Sequence, residues 1–361
     1  MTGSDACDAC LRRTALVATL SGYLDVEWRR RDAAARVLAL PDTELLAIAP
    51  AAARDRYARF DAAVSRAVAA RARVALVCRC SEAYPARLRA LPDPPAVLHV
   101  LGDPAALDVP DGVAIVGARR ATSYGLDVSR TLGSGLSRAG VPVVSGLALG
   151  IDAAAHAGAL EGTGRPVAVM AAAPDVPYPQ RNRMLHAAVA ERGAVISELP
   201  PGSNAFRWCF VARNRIVAAL AQVVVIVEAT ERSGSLTTAD FAADIGCTVA
   251  AVPGRVSNRT AAGTNGLIQS GAALVRDAGD VLDLLAEATG QPRRVPVRAV
   301  PPDLDQSLRA LLAAVEEGRG ALGELASGPE QARAVLAGLG ELEFRGLIRR
   351  TFGGRYEASA P

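Results

Sequence analysis

Seven short apolar runs, rich in valine and isoleucine and mostly separated by segments of helix length, constrain this chain more than any other feature. They read 113-VAIVG-117, 141-VPVVSG-146, 166-PVAVMA-171, 194-AVISEL-199, 223-VVVIVE-228, 248-TVAAVPG-254 and 273-ALVR-276. A strand with one wet face alternates polar and apolar residues; these runs do not, so both faces are to be buried. Helices between the strands supply that cover. The expected fold is therefore α/β, a Rossmann-like doubly wound parallel sheet.

The flanks read differently. Residues 11–75 carry apolar positions at three-and-four spacing, punctuated by Pro41 and Pro50, so residues 1–73 are expected to form a small helical domain. The run Arg29–Arg31 within it reads as a solvated helix face. Residues 74–110 read as a connecting region, with one strand at 74–78 and a proline-rich stretch at 92–100, and the α/β domain is placed at 74–288. Residues 289–303 are proline-rich and aperiodic, as a linker is. Beyond them, three helices and a Gly-Gly turn between short strands over 304–361 predict a winged helix.

In a parallel sheet the ligand crevice lies beyond the carboxyl ends of the strands. Three loops there open helices: Gly117-Ala118-Arg119-Arg120 before a helix from Tyr124, Ser145-Gly146 before Asp152, and Ser233-Gly234-Ser235 after Glu228. Helix starts expose backbone N–H groups and a positive dipole end, which suits an anion. Yet the first loop has neither GxGxxG nor GK[ST], so a dinucleotide or triphosphate is a poor match. The segment 206-FRWCFVARNRIVAAL-220 adds Arg213, Asn214 and Arg215 beside Phe206, Trp208 and Phe210. Arginines among aromatics suit a nucleic-acid strand, gripping phosphates and stacking bases. The plainer alternative is that Trp208 and Phe210 pack the domain and that Arg213 or Arg215 pairs with Glu228.

Charge does not decide between these readings. The 361 residues hold 40 basic and 37 acidic side chains, all the basic ones arginine, and no segment is a strongly basic block. Asp152 and His156, four apart, suit a structural hydrogen-bonded pair, and no hydrolase triad, phosphate-binding P-loop or metal cluster stands out. The six cysteines include Cys7-x-x-Cys10 and Cys78-x-Cys80; that combination is not a common zinc spacing, so reduced thiols and no metal are expected. No apolar run reaches spanning length and no secretory signal precedes the first helix, so a cytoplasmic protein without a membrane partner is expected.

Eight motifs in order, VAIVGARRATSYG, VSGLALGIDAAAH, PYPQRN, ISELPPG, FVARNRI, VVVIVEATERSGSLTTAD, VPG and GTNGLIQSGA, resemble the DprA/Smf family of DNA-processing proteins. The resemblance covers about residues 74–288. It implies a non-enzymatic protein without a cofactor, which binds and protects single-stranded DNA and loads RecA recombinase during natural transformation and homologous recombination. It also implies a homodimer, single-strand-binding protein as a further candidate partner, an N-terminal domain of SAM-like type and a C-terminal winged helix. Carried over by position, the DNA site is Gly117, Arg119, Arg120, Ser145, Gly146, Phe210, Arg213, Asn214, Arg215, Ser233, Gly234 and Ser235.

Three departures stand against the family pattern: 171-AAAPD-175 in place of a glycine-containing turn, Val211 where proline is usual, and Gly246-Cys247 where a Gly-Arg is usual. The last removes a basic residue that the groove would be expected to use. An enzyme of the nucleotide phosphoribohydrolase type, related in fold, is the alternative; its PGGxGTxxE loop has no match in 233-SGSLTTAD-240. A scaffold protein with a vestigial pocket is a third reading.

Overall fold

The computed structural model describes residues 6–27, 33–295, 303–350 and 354–358. The Arg29–Arg31 run, residues 296–302 of the expected linker and part of the Gly-Gly turn lie outside them. The chain divides between Val295 and Pro296 into two compact units.

The first unit begins with five helices, α1 (Asp8–Glu27), α2 (Ala33–Ala39), α3 (Asp42–Ile48), α4 (Ala51–Ala58) and α5 (Ala62–Arg71). Leu16, Leu20 and Leu24 recur every fourth residue and form one buried stripe on α1. Arg13 fixes the helices above it, donating to Asp42 at 2.8 Å and to the Leu38 carbonyl at 2.6 Å. Asp61 caps α5 by accepting from the Ala63 amide at 2.8 Å.

The sheet follows: β1 (Val74–Cys78), α6 (Ala86–Arg89), β2 (Val97–Gly102), β3 (Val113–Val116), α7 (Ser123–Arg138), β4 (Val143–Ser145), α8 (Ile151–Ala159), β5 (Val167–Val169), α9 (Arg183–Arg192) and β6 (Ala194–Ser197). It continues through α10 (Arg207–Ala219), β7 (Val223–Ile226), α11 (Leu236–Asp244), β8 (Thr248–Ala251), α12 (Ala262–Gln269), β9 (Ala273–Leu274) and α13 (Ala278–Thr289). The strand order is β1-β2-β6-β5-β4-β3-β7-β8-β9. From β6 to β9 every neighbouring pair is parallel, and the seven strands expected from the apolar runs are all present.

One expectation needs correcting. Residues 74–110 are not merely a connection: β1 and β2 pair antiparallel, and β2 pairs antiparallel with β6, so the sheet is mixed. The proline-rich stretch 92–96 hid the second strand, whose residues 97–100 are buried as thoroughly as the parallel strands.

Burial on both faces explains the unbroken apolar runs. Val113, Ile115, Val223 and Val225 face α7, α8 and α13, meeting Leu132, Leu136, Ile151 and Val281. Ala114, Val116, Val224 and Ile226, alternating with them, face Ile216, Leu220 and Ala239 of α10 and α11. The N-terminal helices add a third cluster: Leu20, Leu24 and Leu45 close over Trp208, Cys209 and Ala212 of α10. Trp208, with no exposed surface, is thus a packing residue.

The second unit contains α14 (Gln306–Glu316), α15 (Leu322–Leu325), α16 (Pro329–Phe344) and the antiparallel pair β10 (Ile348–Arg350) and β11 (Tyr356–Ala358). Its core is Leu304, Leu312, Val315, Leu339, Leu342, Leu347 and Ile348. Among the described residues, no helix is long and apolar enough to cross a membrane.

Candidate nucleic-acid interface

The chain leaves β3 toward β4, β5 and β6 on one side, then returns to β7 and β8 on the other. β3 and β7 are adjacent and parallel, with Val116 opposite Ile226. Loops leaving their carboxyl ends must separate, and the gap between them is where open α/β sheets bind ligands. Here that gap is a cleft of about 610 Å³.

Gly117, Arg119, Arg120, Phe210, Arg213, Asn214, Ser233, Gly234 and Ser235 all line it. Gly117 sits so close to β7 and α8 that a Cβ would lie 2.8 Å from both the Glu228 carbonyl and Ile151 Cγ1. Gly146 lines an adjoining recess of about 80 Å³ with Arg119, Tyr178, Phe210 and Arg213. Ser145 is different. Its hydroxyl is buried and donates to the Ile115 carbonyl at 2.6 Å, tying β4 to β3.

In the first two loops carboxylates already occupy some of the amides that the sequence offers to an anion. Asp152 Oδ2 accepts from the Gly146 and Ala148 amides at 3.2 and 3.4 Å. Glu228 accepts from the Thr122 amide at 2.9 Å and from its hydroxyl at 2.5 Å. Thr122 in turn caps α7, which starts at Ser123, one residue earlier than expected. The alternative in which Arg213 or Arg215 pairs with Glu228 gives way to a capping network. Asp152 likewise turns its carboxylate to the loop and Arg213, not to His156. Arginine side chains add the positive charge that these occupied amides do not supply.

Two arginines of α10, two residues apart, have opposite fates. Arg215 is enclosed, with its Nε 2.9 Å from Asp93 and its NH2 2.8 Å from Glu198. Burial works against its charge, but Glu198 and Asp93 overcome this and raise its pKa. It ties β6 and the turn before β2 to α10 and is absent from the cleft lining. Arg213 faces the cleft and has weak support. Its NH1 donates to the Val169 carbonyl at 2.8 Å, its NH2 stands 3.7 Å from Asp152, and its Nε has no partner among the described residues. Burial lowers the pKa of Arg213 and raises that of Asp152, each group opposing the shift in the other. A guanidinium does not deprotonate in proteins, so Arg213 is a charged donor short of acceptors.

Beside it stands a stack. The Arg119 guanidinium lies 4.7 Å from the Phe210 ring centroid, and the Tyr178 ring centroid lies 5.6 Å from that of Phe210, the two rings tilted by 55°. Tyr178 is 45% exposed, which places an aromatic side chain at the surface beside these groups. Asn214 fixes the third loop, donating to the Gly234 carbonyl at 3.2 Å and to Thr237 Oγ1 at 2.7 Å. Ser233 and Ser235 hydroxyls pair at 2.8 Å.

Sequence reasoning missed Asp152 and Thr260 as cleft residues and Tyr178 as a residue of the adjoining recess. Tyr178 lies in the PYPQRN motif but had no aromatic neighbour in sequence. Thr260, whose buried hydroxyl has no partner among the described residues, carried no signal at all. The departure at Cys247 proves remote from the groove: its thiol is buried, 2.8 Å from Arg87, and Val211 is the departing residue that does line the cleft.

The loop at 146–150 is held under some strain. Leu147 has φ 54°, in the left-handed region that a leucine avoids. Asn182 secures it, donating to the Leu147 and Ala148 carbonyls at 2.9 and 3.3 Å.

Comparisons with known proteins bear on this arrangement. A family model described as DNA recombination-mediator protein A matches residues 75–286. A Mycobacterium tuberculosis protein bearing the DprA name is 45% identical over 202 residues, which are 55% of this chain and 52% of that one. The chain thus spans about half the length of that relative. The structure resembles that of DNA processing protein A from Streptococcus pneumoniae, with TM-score 0.63 and 30% identity, covering 78% of this chain and 98% of that one. It also resembles DNA processing protein A from Helicobacter pylori, described for its single-stranded DNA binding mode, with TM-score 0.53 and 33% identity over 56% of this chain and 93% of that one.

Proposed function

This chain belongs to the DNA recombination-mediator protein A family, and we propose that its cleft between β3 and β7 binds single-stranded DNA. The observation that carries this reading is the Arg119–Phe210 stack beside Arg213, a buried cation short of acceptors. A strand supplies what each lacks: phosphate oxygens for the arginines and base faces for the aromatics. Arg120 and Arg207, both exposed, extend the charge along the rim. Arg119, Arg120, Arg213, Phe210, Gly117, Asn214 and the Ser233–Ser235 loop form the site in this proposal. Ser145, Gly146 and Arg215 shape it from behind.

The amide occupancy supports a binding role over nucleotide hydrolysis. Glu228 is committed to Thr122 and Asp152 to its own loop, so neither carboxylate is placed as a general base. We take the protein to be a non-enzymatic, cytoplasmic mediator that acts as a homodimer and passes DNA to RecA recombinase. The second unit, with three helices and a β-hairpin, is read as a winged helix. The N-terminal helices are read as a SAM-like domain.

Fluorescence anisotropy with oligo(dT) and with duplex DNA tests the site. Binding is expected to favour the single strand and to fall with salt, by about 0.7 in logarithmic slope for each phosphate neutralised. Arg119→Ala is expected to weaken binding and flatten that slope. Phe210→Ala removes a stacking face worth about 1–3 kcal/mol per base, a loss of about five-fold to more than a hundred-fold. Wild-type affinity in both variants, with circular dichroism unchanged, overturns the proposal.

A further inference from the structure

The sequence pairs Cys7 with Cys10 and Cys78 with Cys80, and the fold brings the two pairs together. All four sulfur atoms lie within 4.8 Å of one another. Cys10 Sγ is 3.7 Å and Cys7 Sγ 4.0 Å from Cys80 Sγ. A disulfide would hold two of them at about 2.05 Å, and these cysteines are free. Four sulfurs at about 2.3 Å from a zinc ion form a tetrahedron with edges of about 3.8 Å, close to the separations of Cys7 and Cys10 from Cys80.

The local structure explains how the donors converge. Cys7 immediately precedes α1 and Cys10 lies in its first turn, with the Leu11 amide donating to the Cys7 carbonyl at 3.1 Å. Cys78 ends β1, and a tight turn, closed by the Ser81 amide on the Cys78 carbonyl at 2.8 Å, presents Cys80. The amino end of a helix favours thiolates. Cys10 and Cys78 are buried on a floor of Leu11, Ala62, Leu76 and Val97, while Cys80 is exposed, which leaves a path for an ion.

We propose that Cys7, Cys10, Cys78 and Cys80 form a structural zinc site that clamps the N-terminal helices to the edge strand of the sheet. An all-sulfur, four-coordinate donor set suits zinc, and the thiol protons are released as it binds. No open coordination position remains, so the role is to hold and not to catalyse. The clamp fixes the start of α1. Near the other end of this helix Asp25 accepts from the Arg207 and Trp208 amides, at 2.6 and 3.3 Å, and so caps α10 of the DNA cleft.

The full chain, purified without chelator and analysed by mass spectrometry for metals, is expected to hold one zinc per chain. Cobalt exchanged into it is expected to give the visible spectrum of tetrahedral thiolate coordination. Cys80→Ser, at the exposed ligand, is expected to lose zinc; Cys209→Ser, buried at α10, is expected to keep it. Chelator is expected to lower the Tm of the wild type and leave that of Cys80→Ser unchanged. Absence of zinc together with an octahedral cobalt spectrum overturns the proposal. So does full zinc retention in Cys7→Ser/Cys80→Ser, or a disulfide among the four in protein prepared without air.

Discussion

The guanidinium of Arg213 fills the space that a side chain on residue 146 would need. A Cβ built on Gly146 would fall on Arg213 NH1. The glycine is therefore required by the arginine's position, 67 residues away, and not by the turn's own geometry. Gly146→Ala is expected to push Arg213 out of its place against Val169, at an overpacking cost of about 1–3 kcal/mol. DNA affinity is expected to fall although residue 146 lies behind the groove. Anisotropy together with urea denaturation separates the two effects.

Arg215 is expected to behave as a stability residue. Arg215→Met leaves Asp93 and Glu198 buried without their cation, which costs about 3–5 kcal/mol. The residual folded protein is expected to bind oligo(dT) near normally. A specific loss of DNA binding with stability intact would instead place Arg215 in the site.

Helix α10 starts at Arg207 without a capping side chain on Phe206, and Asp25 of α1 supplies one from a distant part of the chain. Asp25→Ala is expected to cost about 1 kcal/mol. It is also expected to increase hydrogen exchange at the Arg207 and Trp208 amides. Unchanged exchange there would show that the cap carries no weight.

His99 and His156 give a dependence on pH. Full burial lowers the pKa of each to about 4, against an ordinary value near 6.5. Unfolded histidine takes up its proton as pH falls below that ordinary value, while the folded form resists until about 4. Stability from these groups is thus present above about pH 6.5 and is lost as pH falls toward 4. Tm is expected to drop across this window, and His99→Asn, neutral throughout, to flatten the slope. An equal slope in wild type and variant would remove His99 from the cause.

Much of the cleft is legible in sequence because parallel strands order it. An apolar run that ends in Gly117 or Glu228 has its following loop at the carboxyl edge, whatever else the chain does. That rule placed Arg119, Arg120 and the Ser233–Ser235 loop correctly along the cleft. Tyr178 escaped because it reaches Phe210 from another segment, with no aromatic partner nearby in sequence.

What the sequence by itself determined is the layered sheet, through runs that tolerate water on neither face, and the set of loops at one edge. What only the tertiary structure decided is which side chains those loops leave available. Arg213 and Arg215 are two residues apart on one helix and so point to nearly opposite sides. Periodicity shows that they differ but not which one meets Asp93 and Glu198, carboxylates from distant segments. The same holds for the cysteines. CxxC at a helix start and CxC at a strand end are each weak alone, and only the tertiary fold, which sets the start of α1 beside the end of β1, brings four sulfurs within a metal's reach. Local pattern sets which face a residue occupies, whereas its partners come from long-range contacts that no local pattern records.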